Sequence, residues 1–409
     1  MLKTLLITTL GLGLIVPATS ALTSDDEYGH EGDAERVEVE WFDGSYNAAV
    51  REAKKRDTMV LVAFVPSWSE YANGLVEEVF PTHDVAGLMS EFVCVKFDDS
   101  EARDSQQVQK LFNVESFPSL LFVGGNGRIE DTIFGFIPPE PLTFELDRIM
   151  KHDDTVSGRR ALVEEHEGDL GYKYLLAEKL GNCGDHRSAG KLMTEIREAD
   201  PHGETPTGAK IVLRDVWGSC QPIEGHEAGL LDTAPVSAHL ASLTVKPVAF
   251  DGFTELGNYL ANSGEPALAR AAFRGAWPNA GEDGSGDWAY GVANYIMSAE
   301  DELSDDDRTF VIELASVSVE SSHAVCEAYA AESKERASEG DGDGDGGEWS
   351  EADQKAWVAE RLDLLARAQF HFGDSKVRKQ AVMTARQAAE LAPENEEYVA
   401  RAASFSEEM

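Results

Sequence analysis

The rhythm of apolar and polar positions changes near residue 151. Before it, short continuous apolar runs alternate with amphipathic stretches; beyond it, a helical rhythm rich in alanine takes over. Residues 45–55 set Tyr46, Ala49, Val50 and Ala53 on one side of a helix, with Ser45 where a cap belongs. Residues 59–65 form a continuous apolar run and residues 92–97 a second, as strands covered on both faces require. A third run, 120–123, follows Ser116-Phe117-Pro118-Ser119. After it, Gly124-Gly125-Asn126-Gly127 turns the chain toward residues 129–136 and predicts a hairpin. Residues 141–150 read as a helix. Together these elements predict an α/β domain over 37–151.

The extreme N-terminus has a different pattern. Met1-Leu2-Lys3 is a short basic start, residues 5–16 are apolar, and Pro17-Ala18-Thr19-Ser20-Ala21 supplies small residues for cleavage. This is the architecture of a signal peptide over 1–21, so the chain is expected to be exported, to the periplasm or the extracellular space. The apolar run is shorter than the about 20 residues of a spanning helix, and no other stretch is apolar enough, so no membrane insertion is expected. No cysteine follows the run, which disfavours a lipid anchor. Residues 22–36 read as an acidic, solvated linker.

A chain of 409 residues is too long for one ordinary core. Its 35 Lys+Arg against 75 Asp+Glu give a net charge of −40. Such a charge repels polyanions, so nucleic acid and anionic membrane surfaces are excluded as partners.

The first domain resembles the thioredoxin superfamily over roughly residues 41–150. The resemblance rests on the strand Val60-Leu61-Val62-Ala63-Phe64, Trp68 at the strand-to-helix turn, and the runs Phe80-Pro81-Thr82-His83-Asp84-Val85, Phe92-Val93-Cys94-Val95-Lys96-Phe97-Asp98 and Val114-Glu115-Ser116-Phe117-Pro118-Ser119. It implies a cis-proline at Pro118 and a peptide-binding backbone at Phe117; read from the residues alone, Phe117-Pro118 also serves as a strand-initiating dipeptide. Where redox-active members carry Trp-Cys-x-x-Cys, this chain reads Trp68-Ser69-Glu70-Tyr71-Ala72. Disulfide exchange needs an attacking thiolate and a resolving thiol, and Ser69 and Ala72 supply neither. Ser69 is expected to cap the following helix.

The cysteines that remain lie elsewhere. Cys94 belongs to an apolar strand, as a small core residue does. Cys183 and Cys220, 37 residues apart, are candidates for a disulfide in an exported chain. Ten histidines are scattered singly. No phosphate loop, zinc signature or Ser/His/Asp arrangement is visible, so no catalytic residue, metal or cofactor is expected.

From residue 152 onward, three stretches resemble tetratricopeptide (TPR) helix pairs. The clearest is Phe253-x-x-Leu256-Gly257-x-x-Leu260, Gly264, Ala269-x-x-x-Phe273-x-x-Ala276. Leu176-Ala177-x-x-Leu180, Gly184, Ala189-x-x-x-Met193-x-x-Ile196 repeats its spacing. Leu365-Ala366, Gly373, Ala381-x-x-x-Ala385-x-x-Ala388 is a looser copy, with eight residues between glycine and alanine instead of five. Residues 287–299 and 305–319 read as a further helix pair. The chain thus predicts an all-α, TPR-like domain over 152–337, or a helical domain without true repeats, and a C-terminal TPR-like pair over 350–409.

Between them, 338–349 is rich in Asp and Gly. Asp341, Asp343 and Asp345 open like a calcium loop, but the closing glutamate position holds Ala352, with Glu351 displaced by one. A solvated linker is the expected reading. The functional expectation is an exported, redox-inactive scaffold that binds proteins or extended peptides. The alternative is a thiol-disulfide oxidoreductase or another enzyme using non-standard residues.

Overall fold

The computed structural model describes residues 37–97, 103–223, 230–281, 285–299, 301–339 and 349–409. The stretches 1–21 and 22–36, and the calcium candidates Asp341, Asp343 and Asp345, lie outside the described residues. Two compact units are present; the first runs to Val212, and Leu213–Met409 belongs to the second.

The first unit begins with α1 (Tyr46–Arg56), where the Ser45 hydroxyl accepts from the Ala48 amide at 3.4 Å, as the cap pattern predicts. Then follow β1 (Val60–Phe64), α2 (Glu70–Gly74) continued by a π-helical turn (Leu75–Val79), α3 (His83–Met89), β2 (Val93–Phe97) and α4 (Arg103–Phe112). The hairpin β3 (Ser119–Val123) and β4 (Ile129–Phe134) leads to α5 (Pro139–Met150). The strand order is β2-β1-β3-β4; β1 and β2 run parallel, and β3 is antiparallel to both β1 and β4. Trp41 bridges to Cys94 outside β2.

Every residue of β1 and β3 is buried, which explains their unbroken apolar runs. One face of the sheet packs Leu61, Ala63, Leu120 and Phe122 against Leu142, Leu146 and Ile149 of α5 and Leu75 and Val79 of the π-helical turn. The other packs Val60, Val62, Phe64, Leu121 and Val123 against Ala49 and Ala53 of α1 and Val108 of α4.

The same unit continues into α6 (Val156–Glu165), α7 (Leu170–Asn182), α8 (His186–Ala199) and α9 (Pro206–Ser219), the last crossing the division between the units. Two adjacent acids of β4 hold the helices. Glu130 accepts from the Ser157 amide at the start of α6 at 2.8 Å. Asp131, only 3% exposed, accepts from Lys179 of α7 at 2.6 Å and from Arg148 of α5 at 2.9 Å. Around them Ile129 packs with Val156, Leu176 and Leu180. Nearby, Asp154 pairs with Arg159. Burial opposes ionisation of its carboxyl, but the Arg159 hydrogen bond and charge, with Lys179 and Arg148, hold it below the ordinary carboxylate range.

The second unit is helical: α10 (Ala234–Ser242), α11 (Lys246–Asn262), α12 (Pro266–Ala276), α13 (Ser285–Met297), α14 (Asp305–Glu339), α15 (Glu351–Phe372), α16 (Ser375–Leu391) and α17 (Glu396–Glu407). Thus an all-α region follows the α/β part, as predicted. Small residues allow close helix approach: a Cβ added to Gly257 of α11 would meet the Phe273 ring of α12 at 2.4 Å. Gly184 and Gly264, with φ of 80° and 78°, reverse the chain after α7 and α11. Gly373 is extended instead, and α16 starts at Ser375, six residues before Ala381; α8 and α12 start three residues before Ala189 and Ala269. The three extra residues of the looser copy therefore form most of an added helical turn. The predicted helix 305–319 also runs on to Glu339, because its continuation is rich in the helix formers Ala and Glu.

Buried arginines pin these helices. Arg270 of α12 binds Asp301 at 2.9 and 2.7 Å and Asp307 of α14 at 3.1 Å. Arg361 of α15 lies 4.7 Å from the Tyr290 ring centre and 3.9 Å from that of Trp357, and pairs with Asp287 of α13.

Replacing Asp131 with Asn leaves Lys179 and Arg148 facing a neutral group in a buried site. Urea unfolding of this variant is expected to show a loss of about 3 kcal/mol; a loss well below 1 kcal/mol would contradict the role given to this pair.

Candidate functional site

At the C-terminal end of β1 the chain leaves the sheet through Val65 and Pro66. The Ser69 amide donates to the Pro66 carbonyl at 3.0 Å, and the Asn73 side-chain amide donates to the Ser67 carbonyl at 3.1 Å, so the loop is fixed at both ends. Ser69 is 8% exposed, and its hydroxyl accepts from the Ala72 amide at 3.4 Å. It therefore caps α2, as the sequence reading expects. Ala72, three residues on, is fully buried beneath the sheet-facing side of α2. The two positions of the degenerate motif thus have unlike surroundings: Ser69 closes the helix start and Ala72 fills the core.

Trp68 just before this motif and Tyr71 within it are 68% and 67% exposed. Large aromatic side chains left so open are candidates for contact with a partner. Phe117 meets Trp68 edge to face, with ring centres 5.7 Å apart, and its other neighbour is Phe64 of β1 at 6.5 Å. The Phe117–Pro118 peptide is cis, as the sequence resemblance implies. The structure therefore brings together the sequence-predicted residues Trp68, Ser69, Ala72, Phe117 and Pro118.

Two further aromatics extend the surface, and the sequence reading missed both. The Pro118 carbonyl accepts from the Gly135 amide at 2.9 Å, which sets Phe134 and Phe136 on either side of that contact. Phe134 stands opposite Ser119 in the ladder and is more than half exposed. Phe136 lies over α2, where a Cβ added to Gly74 would meet its ring at 3.1 Å. The available signal was Phe134-Gly135-Phe136 itself: two aromatics flanking a glycine at a strand end, with Gly135 at φ 82°. A cavity of about 420 Å³ lies at the opposite end of the sheet, lined by Arg56, Met59, Phe92 and His152 among others.

The remaining candidates fall apart from this face. Each of the four cysteines is a free thiol in the structure, and Cys183 and Cys220, the candidates for a disulfide, belong to different units. Cys94 donates to the Met89 carbonyl at 3.2 Å, and burial pushes its thiol up to about 12. Burial, with Asp131 adding to it and Lys179 opposing, pushes Cys183 up to about 12 as well. Burial also raises Cys220 and Cys326. A nucleophilic cysteine needs the opposite shift. Among the described residues no group of three or more His, Cys, Asp or Glu is placed to hold a metal ion.

Residues 46–149 match the family model described as a thioredoxin-like domain, and this part of the chain is a thioredoxin-like domain. A solved structure described as a candidate disulphide-isomerase from Bacteroides thetaiotaomicron is 21% identical, covers 28% of this chain and 95% of its own, and superposes with a TM-score of 0.25. A DsbH oxidoreductase is 13% identical, covers 32% of this chain and 94% of its own, with a TM-score of 0.24. No curated protein matches the chain.

The burial of Cys94 and Cys183 has a direct chemical readout. At pH 8 the folded chain is expected to react with a disulfide reagent at these two positions at least about a hundredfold more slowly than the denatured chain. Mass mapping of the modified peptides checks this, and rapid labelling of either cysteine in the folded state would contradict it.

Proposed function

We propose that the chain is an exported binding protein whose redox-silent thioredoxin-like domain, spanning about 37–151, captures extended polypeptide segments on the face formed by Trp68, Tyr71 and Phe117. In this reading residues 1–21 are removed on export, and 22–36 and 338–349 are linkers. The helical regions 152–337 and 350–409 form a TPR-like scaffold with a protein-interaction surface of its own. The observation that carries the reading is the pairing of a helix-capping serine with wide-open aromatics. Ser69 does structural work in place of a thiolate, while Trp68 and Tyr71, which a purely structural loop would tuck away, face solvent.

The energetics favour binding over chemistry. An extended segment laid across Trp68, Tyr71 and Phe117 gains apolar contact at about 25 cal/mol per Å² buried, with little side-chain entropy lost by the stiff aromatic rings. The oxidoreductase reading needs a thiolate near neutral pH, and the thiols of Cys94 and Cys183, pushed up to about 12, do not provide one.

The test pairs an activity with a binding measurement. Under dithiothreitol, the chain is expected to leave the rate of insulin reduction unchanged. The variant Ser69→Cys with Ala72→Cys is expected to accelerate it, because a thiol at 69 meets the Ala72 amide at a helix start. In parallel, Trp68→Ala with Tyr71→Ala is expected to weaken binding of reduced, carboxymethylated lactalbumin at least about tenfold, the equivalent of 1.4 kcal/mol. Catalysis by the unaltered chain, lost on replacing Cys94 or Cys183, would overturn the reading, as would equal binding by the aromatic variant.

A further inference from the structure

Cations are scarce in this chain, 35 against 75 acids, and in the helical unit many are matched to carboxylates. Arg270, Arg274, Arg361, Arg367 and Arg401 all enter ion pairs with aspartates. Helix α16 departs from this pattern. Its buried side, Ala381, Thr384, Ala385 and Ala388, packs inward. On the opposite side Lys376, Lys379, Met383 and Arg386 recur at helical spacing and are all exposed, Met383 at 66%. Among the described residues none of these three cations enters an ion pair; Arg386 donates to the Ser406 hydroxyl at 3.1 Å, and the Asp374 cap, close to Lys376, accepts from the Lys376 and Val377 amides. Glu390 closes the stripe at its C-terminal end.

Of these charges only Lys376 lies in the first turn of the helix. Cations near a helix N-terminus oppose the macrodipole, and acids favour it. The first turn of α16 carries no acid and includes Lys376, in a chain where acids outnumber cations two to one. Asp374, the N-cap, supplies the favourable acid at that end and sits beside Lys376, whereas Lys379, Met383 and Arg386 lie beyond the cap and are not accounted for by it. An exposed methionine amid cations that enter no ion pair suits a partner with an apolar side chain between carboxylates.

We infer that the outer face of α16 is a docking surface for an acidic segment of a protein partner, held by Lys376, Lys379 and Arg386 around an apolar contact at Met383. The stripe spans about 15 Å, ten residues at 1.5 Å each. A short acidic segment fits within it and stays close to its charges, because screening cuts attraction and repulsion off over about 8 Å at physiological salt. An anionic membrane or nucleic acid extends far beyond the stripe and meets the repulsion of a chain carrying −40. This surface is independent of the aromatic face of the thioredoxin-like domain.

The test titrates a fluorescein-labelled peptide of about ten residues, with glutamates at helical spacing around a central leucine, into the full chain and follows anisotropy. Saturable binding is expected, weakening as salt rises. It is expected to fall at least about tenfold in Lys376→Glu/Lys379→Glu/Arg386→Glu and to weaken in Met383→Asp. The triple variant is expected to melt no earlier than the parent, since an acid in the first turn favours the helix; if it melts earlier, the glutamine substitutions at the same three positions replace it. No binding of the peptide, equal affinity for the parent and the charge variants, or binding of phosphatidylglycerol vesicles in its place overturns the proposal.

Discussion

A buried carboxylate must find cations or lose its charge, and Asp131 makes the thioredoxin-like sheet and the helices after it one body. It lies on β4, an edge strand whose outer backbone would otherwise be open to pairing with another chain. Lys179 and Arg148 neutralise it from α7 and α5, and Glu130 next to it anchors the start of α6. The middle of the strand is thereby covered, while its end at Phe134 stays open. The exposed aromatics Trp68, Tyr71 and Phe134 stand at the end of the sheet that carries the cis peptide at Pro118.

The same economy of charge governs the helical unit. A chain so acidic cannot leave aspartates in its core without cations, and Arg270 and Arg401 fill that need for the buried Asp307 and Asp363 where helices cross. Planar guanidinium groups suit the task, because one head can bind a carboxylate and stack on aromatic rings together, as Arg361 does between Tyr290 and Trp357. Cations left on the surface in such a chain stand out, which is why the outer face of α16 is legible as a separate feature.

Local features of the fold could be read directly from the sequence. The caps at Ser45 and Ser69, the doubly buried β1, the Gly124–Gly127 turn and the helices flanking Gly184 and Gly264 each depend on residues within one or two turns of each other. The run 92–97, expected to be covered on both faces, instead forms the edge strand β2, with Lys96 and Phe97 only half-buried. What escaped the sequence depends on distance. Asp131 and Lys179 are 48 residues apart, and neither carries a local mark of its partner. The helix running to Glu339 escaped because its latter half lacks the amphipathic contrast that periodicity detects. The candidate site was half legible. Trp68, Ser69, Ala72, Phe117 and Pro118 follow from the resemblance to thioredoxin-like sequences, but the openness of Trp68 and Tyr71, and the approach of Phe136 to α2, arise only when the hairpin folds back against that helix.

The central claim is that the face around Trp68 binds polypeptide, with the helix-capping Ser69 as a structural element. Amide hydrogen exchange of the full chain, with and without a saturating unfolded protein, addresses it residue by residue. The account predicts added protection confined to the segments around Trp68–Asn73, Ser116–Ser119 and Phe134–Phe136. Unchanged exchange in all three, with protection appearing elsewhere, would contradict it.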